Sequence, residues 1–140
     1  MQLHDNQGKR LYLTAEERRA FMTAAVEADR PVRTFCAVLH DTGCRISEAL
    51  ALTPERIDLT ARAIVIESLK KRRQGVHRAV PVPASLLDTL DMVHGVQEAR
   101  RRGRGHADIP LWNWSRTTAW RKVCAVMEAA RISSGPHCSP

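Results

Sequence analysis

Thr42-Gly43-Cys44-Arg45-Ile46-Ser47-Glu48-Ala49-Leu50-Ala51-Leu52 is the stretch on which the fold of this chain turns. Gly43 marks a helix stop, because glycine closes a last helical turn in the left-handed conformation at little cost. Two residues on, Arg45 sits at the start of a short new helix whose apolar face is Ile46, Ala49, Leu50 and Leu52, and Thr53-Pro54 ends it and caps the next turn. Glu48 follows Arg45 by three residues, a spacing at which the two side chains of a helix can pair.

Upstream, Thr14-Ala15-Glu16-Glu17 has the form of a capping box and predicts a helix to about Asp29 that turns Phe21, Met22, Ala25 and Val26 inward. Pro31 suits the first turn of a second helix, which carries Phe35, Val38 and Leu39 as a buried stripe up to Gly43. Downstream, Ile57-Asp58-Leu59, Ala63-Ile64-Val65-Ile66 and Ala79-Val80-Pro81-Val82 are strand-like, the last two flanking a basic loop that contains Gly75. Pro83-Ala84-Ser85 opens a helix with Leu86, Leu90, Val93 and Val96 on one face, running into an exposed basic end from Arg100 to Gly105. Ser115 caps a last helix with Trp120, Val123, Cys124, Met127 and Ala130 inward. The expected fold is α+β, mainly α-helical, with a small three-stranded antiparallel β-sheet in one domain.

The chain holds 22 Lys and Arg against 15 Asp and Glu, a net charge of +7. Between Arg62 and Arg104 ten basic residues face four acidic ones, so that segment alone holds +6. A positive field so concentrated suits a polyanion, with nucleic acid ahead of an anionic membrane surface. The 44% hydrophobic content excludes a wholly disordered chain. Cys36, Cys44, Cys124 and Cys138 form no CxxC pair and, with the six histidines, no zinc-ligand spacing, so reduced thiols, no metal and no cofactor are expected. The opening MQLHDNQGKRLYLT has no apolar signal core and no run of apolar residues reaches membrane-spanning length, which points to the cytoplasm.

The string from Thr42 to Leu52 resembles the first box of the tyrosine-recombinase (phage-integrase) family, T-G-x-R-x-S-E-x-x-x-L, and it stands in that family's order of elements. The resemblance assigns Arg45 to the scissile phosphate. The chemistry is apt: a guanidinium is always charged, donates two parallel hydrogen bonds to a phosphate, and at a helix start is joined by the positive end of the helix. Such a group stabilises charge on the equatorial oxygens during phosphoryl transfer. Glu48 takes a supporting role, holding Arg45 or its helix.

Glu67 to Pro81 resembles the family's β-hairpin, with a lysine near the tip and Arg-x-Val-Pro on the returning strand. The family's lysine is the general acid toward the leaving 5′ hydroxyl, and that role falls to Lys70 or to its neighbour Lys71. Arg72, Arg73 and Arg78 are expected to contact DNA phosphates, which position a duplex without reading its sequence. The last helix resembles the second helix of a helix-turn-helix and adds Arg116, Arg121 and Lys122 as phosphate contacts. Tyr12, the only tyrosine, precedes the first helix and does not correspond to the family nucleophile.

The likeness runs from about residue 13 to 137, which divides the chain into an N-terminal extension, 1–13, and a partial catalytic domain, 14–140. Pro136-His137 resembles the opening of the family's second box, His-x-Leu-Arg-His, making His137 a further candidate, but Cys138-Ser139-Pro140 does not continue it. Without the second arginine and the tyrosine, the residues given are expected to bind double-stranded DNA and not to recombine it alone, in the company of other recombinase protomers on that DNA. Two other readings compete. A non-catalytic DNA-binding or regulatory module would use the same basic hairpin without Arg45, and a binder of anionic membranes would need a strongly amphipathic basic helix that this sequence lacks.

Overall fold

The computed structural model describes residues 14–68 and 76–130. Lys70, Lys71, Arg72, Arg73, His137, Tyr12 and Cys138 lie outside the described residues. The element order is α1 (Ala15–Val26), α2 (Arg30–Thr42), α3 (Ile46–Leu50), a 3-10 turn (Pro54–Arg56), β1 (Ile57–Asp58), β2 (Ala63–Glu67), β3 (His77–Pro81), α4 (Ala84–His94), α5 (Val96–Arg102) and α6 (Arg116–Ala129).

The capping box at Thr14 forms: the hydroxyl accepts the N–H of Glu17 at 3.1 Å, and the Glu17 carboxylate accepts that of Thr14 at 3.1 Å. Helix α1 stops at Val26 and not near Asp29, because Asp29 adopts an extended backbone, with ψ 149°, as the residue that leads into α2. The buried face of α1 centres on Phe21 and Ala25, and Val26, expected inward, is half exposed. Helix α2 is central and packs against α1, α3, α4 and α6. Its Val32, Phe35, Cys36, Val38 and Leu39 are buried, and Phe35 meets the edge of Trp112 at a 5.0 Å ring separation. The Trp112 indole N–H donates to the carbonyl of Pro31 at 2.9 Å, tying the segment before α6 to the start of α2.

The sheet has the order β1-β2-β3, antiparallel throughout, with Ile57 opposite Ile64, Ile64 opposite Val80, and Ile66 opposite Arg78. Ile57, Ile64 and Ile66 are fully buried, whereas β3 is mostly exposed. One layer of side chains therefore seals the sheet to the helices, and the outer strand stays open to solvent.

A single helix from Pro83 to the basic segment is not what forms. Gly95, at φ 64° and ψ 44°, divides it into α4 and α5. The Gly95 N–H closes α4 on the carbonyl of Asp91 at 2.8 Å, and the Asp91 carboxylate accepts the N–H of Gln97 at 2.8 Å to start α5. Val96 is still buried, but on the second helix. The basic end is also not wholly a solvent face: the Arg100 guanidinium turns back to donate to the carbonyls of Ile57 and, at 3.4 Å, Glu55. Ser115 caps α6 as expected, accepting the N–H of Thr118 at 3.1 Å, and Val123, Cys124 and Met127 are buried while Trp120 is only partly so.

Candidate functional site

The turn between α2 and α3 is built from short-range hydrogen bonds. Gly43 takes the left-handed conformation, φ 68°, and its N–H donates to the carbonyl of Leu39 at 3.0 Å. The Thr42 hydroxyl donates to the carbonyl of Val38 at 2.7 Å and accepts the N–H of Cys44 at 3.2 Å. Cys44 is thereby drawn into the core and Arg45, the next residue, is turned out to solvent. Burial pushes the Cys44 thiol up to about 11, with the Thr42 hydroxyl opposing and the nearby Glu48 carboxylate adding to the rise. Cys36 is pushed up to about 12 by burial. Such thiols stay protonated and unreactive near neutral pH. Cys36, Cys44 and Cys124 are unpaired.

Arg45 occupies the position just before α3, with an extended backbone, φ −80° and ψ 157°. Helix α3 has five residues, so its dipole adds little and the guanidinium itself must supply the positive charge. The Arg45 backbone N–H donates to Oε1 of Glu48 at 3.0 Å. Glu48 is 4% exposed, and the same oxygen accepts from Nη2 of Arg78 at 3.2 Å. The pairing between the side chains of Arg45 and Glu48 that their spacing allows is thus replaced by one across the sheet, from β3 to α3. Among the described residues the Arg45 guanidinium makes no hydrogen bond or ion pair.

The described part of the hairpin closes with the N–H of Ser68 donating to the carbonyl of Val76 at 2.8 Å. At its base, Oε2 of Glu67 lies 3.3 Å from Nη2 of Arg56 and 3.3 Å from Nε2 of His77. Sequence reasoning missed this group. Arg56 follows the 3-10 turn with no motif around it, and only the register of β2 against β3 brings His77 opposite Glu67.

Arg78 and the three basic residues of α6 fall into different settings. Arg78 spends one nitrogen on Glu48 and keeps about half its side chain exposed. Arg116 and Arg121 are exposed. Lys122 lies over the face of Trp114, 5.0 Å from the ring centre. Helix α6 packs against α3, which places these residues on an element adjoining the Arg45 turn. An open depression lined by Glu55, Arg100, Gly103, Arg104, Ala107 and Asp108 includes none of Arg45, Glu48 and Arg78. Among the described residues no helix is long and apolar enough to cross a membrane, and no cluster of three or more His, Cys, Asp or Glu is placed to hold a metal ion.

The family model for the phage integrase family matches residues 11–107. The tyrosine recombinase XerD of Mycobacterium tuberculosis is 36% identical over 113 residues, an alignment spanning 75% of this chain and 35% of that protein. XerD of Mycobacterium leprae is 32% identical over 150 residues, spanning 93% of this chain and 46% of that protein. The chain therefore covers less than half the length of these relatives. Among solved structures, XerA recombinase superposes with a TM-score of 0.67 at 22% identity, over 89% of this chain and 44% of that one. Lambda integrase, residues 75–356 bound to DNA, gives 0.59 at 21% identity, over 92% and 46%. Both share the mainly helical fold with its small antiparallel sheet.

Proposed function

This chain belongs to the phage integrase family, and from that premise we propose that residues 14–140 are part of the catalytic domain of a site-specific DNA recombinase, which breaks and rejoins DNA through a tyrosine. Arg45 binds the scissile phosphate. The observation that carries this reading is an exposed guanidinium without a partner among the described residues, on a turn whose amide is fixed by a buried carboxylate. A group held this way meets a phosphate with little ordering left to do, and its charge is aimed where negative charge develops.

In this proposal Lys70, or Lys71, protonates the leaving 5′ hydroxyl, Glu48 holds the Arg45 turn, and His137 opens the next catalytic segment. Arg72, Arg73, Arg116, Arg121 and Lys122 rest against the phosphates of double-stranded DNA, with Lys122 steadied by Trp114. Lambda integrase is described as bound to DNA, and the +7 charge of this chain suits the same partner. The protein acts in the cytoplasm, with further protomers on the same duplex.

The test is strand cleavage by a polypeptide that also carries the family's His-x-Leu-Arg-His box and tyrosine. Arg45→Ala should abolish cleavage while weakening duplex binding only by the roughly 1.5–3 kcal/mol of one charged hydrogen-bonded contact. Unchanged cleavage by that variant would leave the non-catalytic DNA-binding module as the better description.

A further inference from the structure

Glu48 is a carboxylate at 4% exposure, and a buried carboxylate demands a cationic partner. Arg45 is the nearest candidate in sequence, three residues away, a spacing at which helix side chains pair readily. The ion pair is instead made by Arg78, thirty residues further on, at 3.2 Å. Arg78 reaches Glu48 because β3 is in register with β2, where it stands opposite the fully buried Ile66. The outcome is an exposed Arg45 whose guanidinium is unengaged among the described residues, beside an acid that would otherwise attract it.

Building on the reading of Arg45 as a phosphate ligand, we propose that Arg78 is a positioning residue: by neutralising Glu48 it keeps that carboxylate off the Arg45 guanidinium and leaves Arg45 to a DNA phosphate. Arg78 is then not itself a phosphate contact, since its charge is balanced within the protein. The same bridge makes the freedom of Arg45 depend on the returning strand of the lysine-bearing hairpin, because only a paired β3 holds Arg78 over Glu48. Once Arg78 is lost, the uncompensated carboxylate captures Arg45.

The experiment is a fluorescence-anisotropy titration of a short mixed-sequence DNA duplex with the full chain, repeated from about 50 to about 200 mM salt, where phosphate contacts appear as the slope of log affinity against log salt. Arg45→Ala should reduce the slope by about 0.9, one contact. Arg78→Gln should reduce it by the same amount, and Arg45→Ala/Arg78→Gln no further. Glu48→Gln/Arg78→Gln, which leaves net charge unchanged and buries no bare carboxylate, should restore the wild-type slope. This pair keeps the test decisive if Arg78→Gln alone does not fold. A slope still about 0.9 lower in Glu48→Gln/Arg78→Gln, or losses that add in Arg45→Ala/Arg78→Gln, would make Arg78 a direct phosphate contact and overturn the proposal. An unchanged slope in Arg45→Ala would instead remove the reading of Arg45 on which the proposal rests.

Discussion

The Arg45 turn and the end of α5 are both rich in arginine, yet the two are held in opposite ways. At the turn, backbone and side chain converge on one buried oxygen of Glu48, and Arg78 comes from another element to complete the arrangement. At the end of α5, Arg101 and Arg102 both pair with Glu98 on their own helix surface, in water. Charge supplied by a neighbouring turn in solvent fixes little, whereas charge demanded by a buried acid fixes the relation of two elements. The difference teaches that the number of arginines in a segment says less about its role than the burial of the carboxylate they meet.

The sharpest way to break this comparison is to remove one arginine from each region. Arg78→Ala strands Glu48 at 4% exposure. Losing one member of a fully buried pair costs about 3–5 kcal/mol, and since about half of the Arg78 side chain is exposed we expect about 2 kcal/mol. Thermal melting should show this as a drop of roughly 5–15 °C. Arg101→Gln and Arg102→Gln should leave the melting temperature unchanged, because Glu98 and both arginines stay solvated whether paired or not. Equal losses in the two regions would remove the distinction.

The contrast also explains what could be read from sequence. Gly43, Arg45 and Glu48 act through bonds no more than four residues apart, so their local order disclosed the turn, the exposed arginine and the supporting acid. Arg78, Arg56 and Arg100 act through partners 11 to 45 residues away. Nothing in the Arg100 to Gly105 segment distinguishes the arginine that folds inward from those that remain in water. The break at Gly95 was legible in principle, but Leu86, Leu90, Val93 and Val96 follow helical spacing straight across it. Periodicity cannot register a glycine that redirects the axis while leaving the next apolar residue buried.

Gly95→Ala tests that joint. At φ 64° an L residue costs about 1–2 kcal/mol, partly offset by about 0.4–1 kcal/mol from a less flexible unfolded chain, for a net loss of about 1 kcal/mol. No atom lies within 4 Å of the added Cβ, so the loss would come from the backbone alone. A stabilised variant in chemical denaturation would mean that α4 and α5 can join into one helix.

Arg100→Met, which keeps the apolar stem, should cost about 1 kcal/mol through two carbonyls losing a charged donor. Hydrogen exchange should show where the loss falls, with faster exchange at Glu55, whose N–H donates to the carbonyl of Ala107 at 3.1 Å beside the Arg100 contact, and unchanged exchange at Ala49 in the Arg45 turn. Faster exchange at both places would mean that the basic end of α5 and the turn are one cooperative unit.

The smallest expected effect belongs to His94, in the last turn of α4, and is a dependence on pH. Its Nε2 lies 2.8 Å from the Thr34 hydroxyl, and its ring meets the edge of Trp112 at 5.1 Å. The Thr34 hydroxyl donates its proton to the carbonyl of Pro31 at 3.0 Å, so its oxygen accepts from His94, which assigns the neutral ring its proton on Nε2. Burial lowers the pKa of His94 below its ordinary 6.5. The unfolded chain therefore takes up the proton at a higher pH than the folded one. The stability contributed by the neutral ring is fully present above about pH 6.5 and declines as the pH falls through that value toward the lower folded pKa. Melting temperatures measured from pH 8 down to about pH 5 should fall less steeply for His94→Gln, which cannot protonate, than for the native chain. Parallel curves would place the acid sensitivity in the other histidines, such as His77 beside Glu67, and would leave the pairing of His94 with Thr34 without influence on folding.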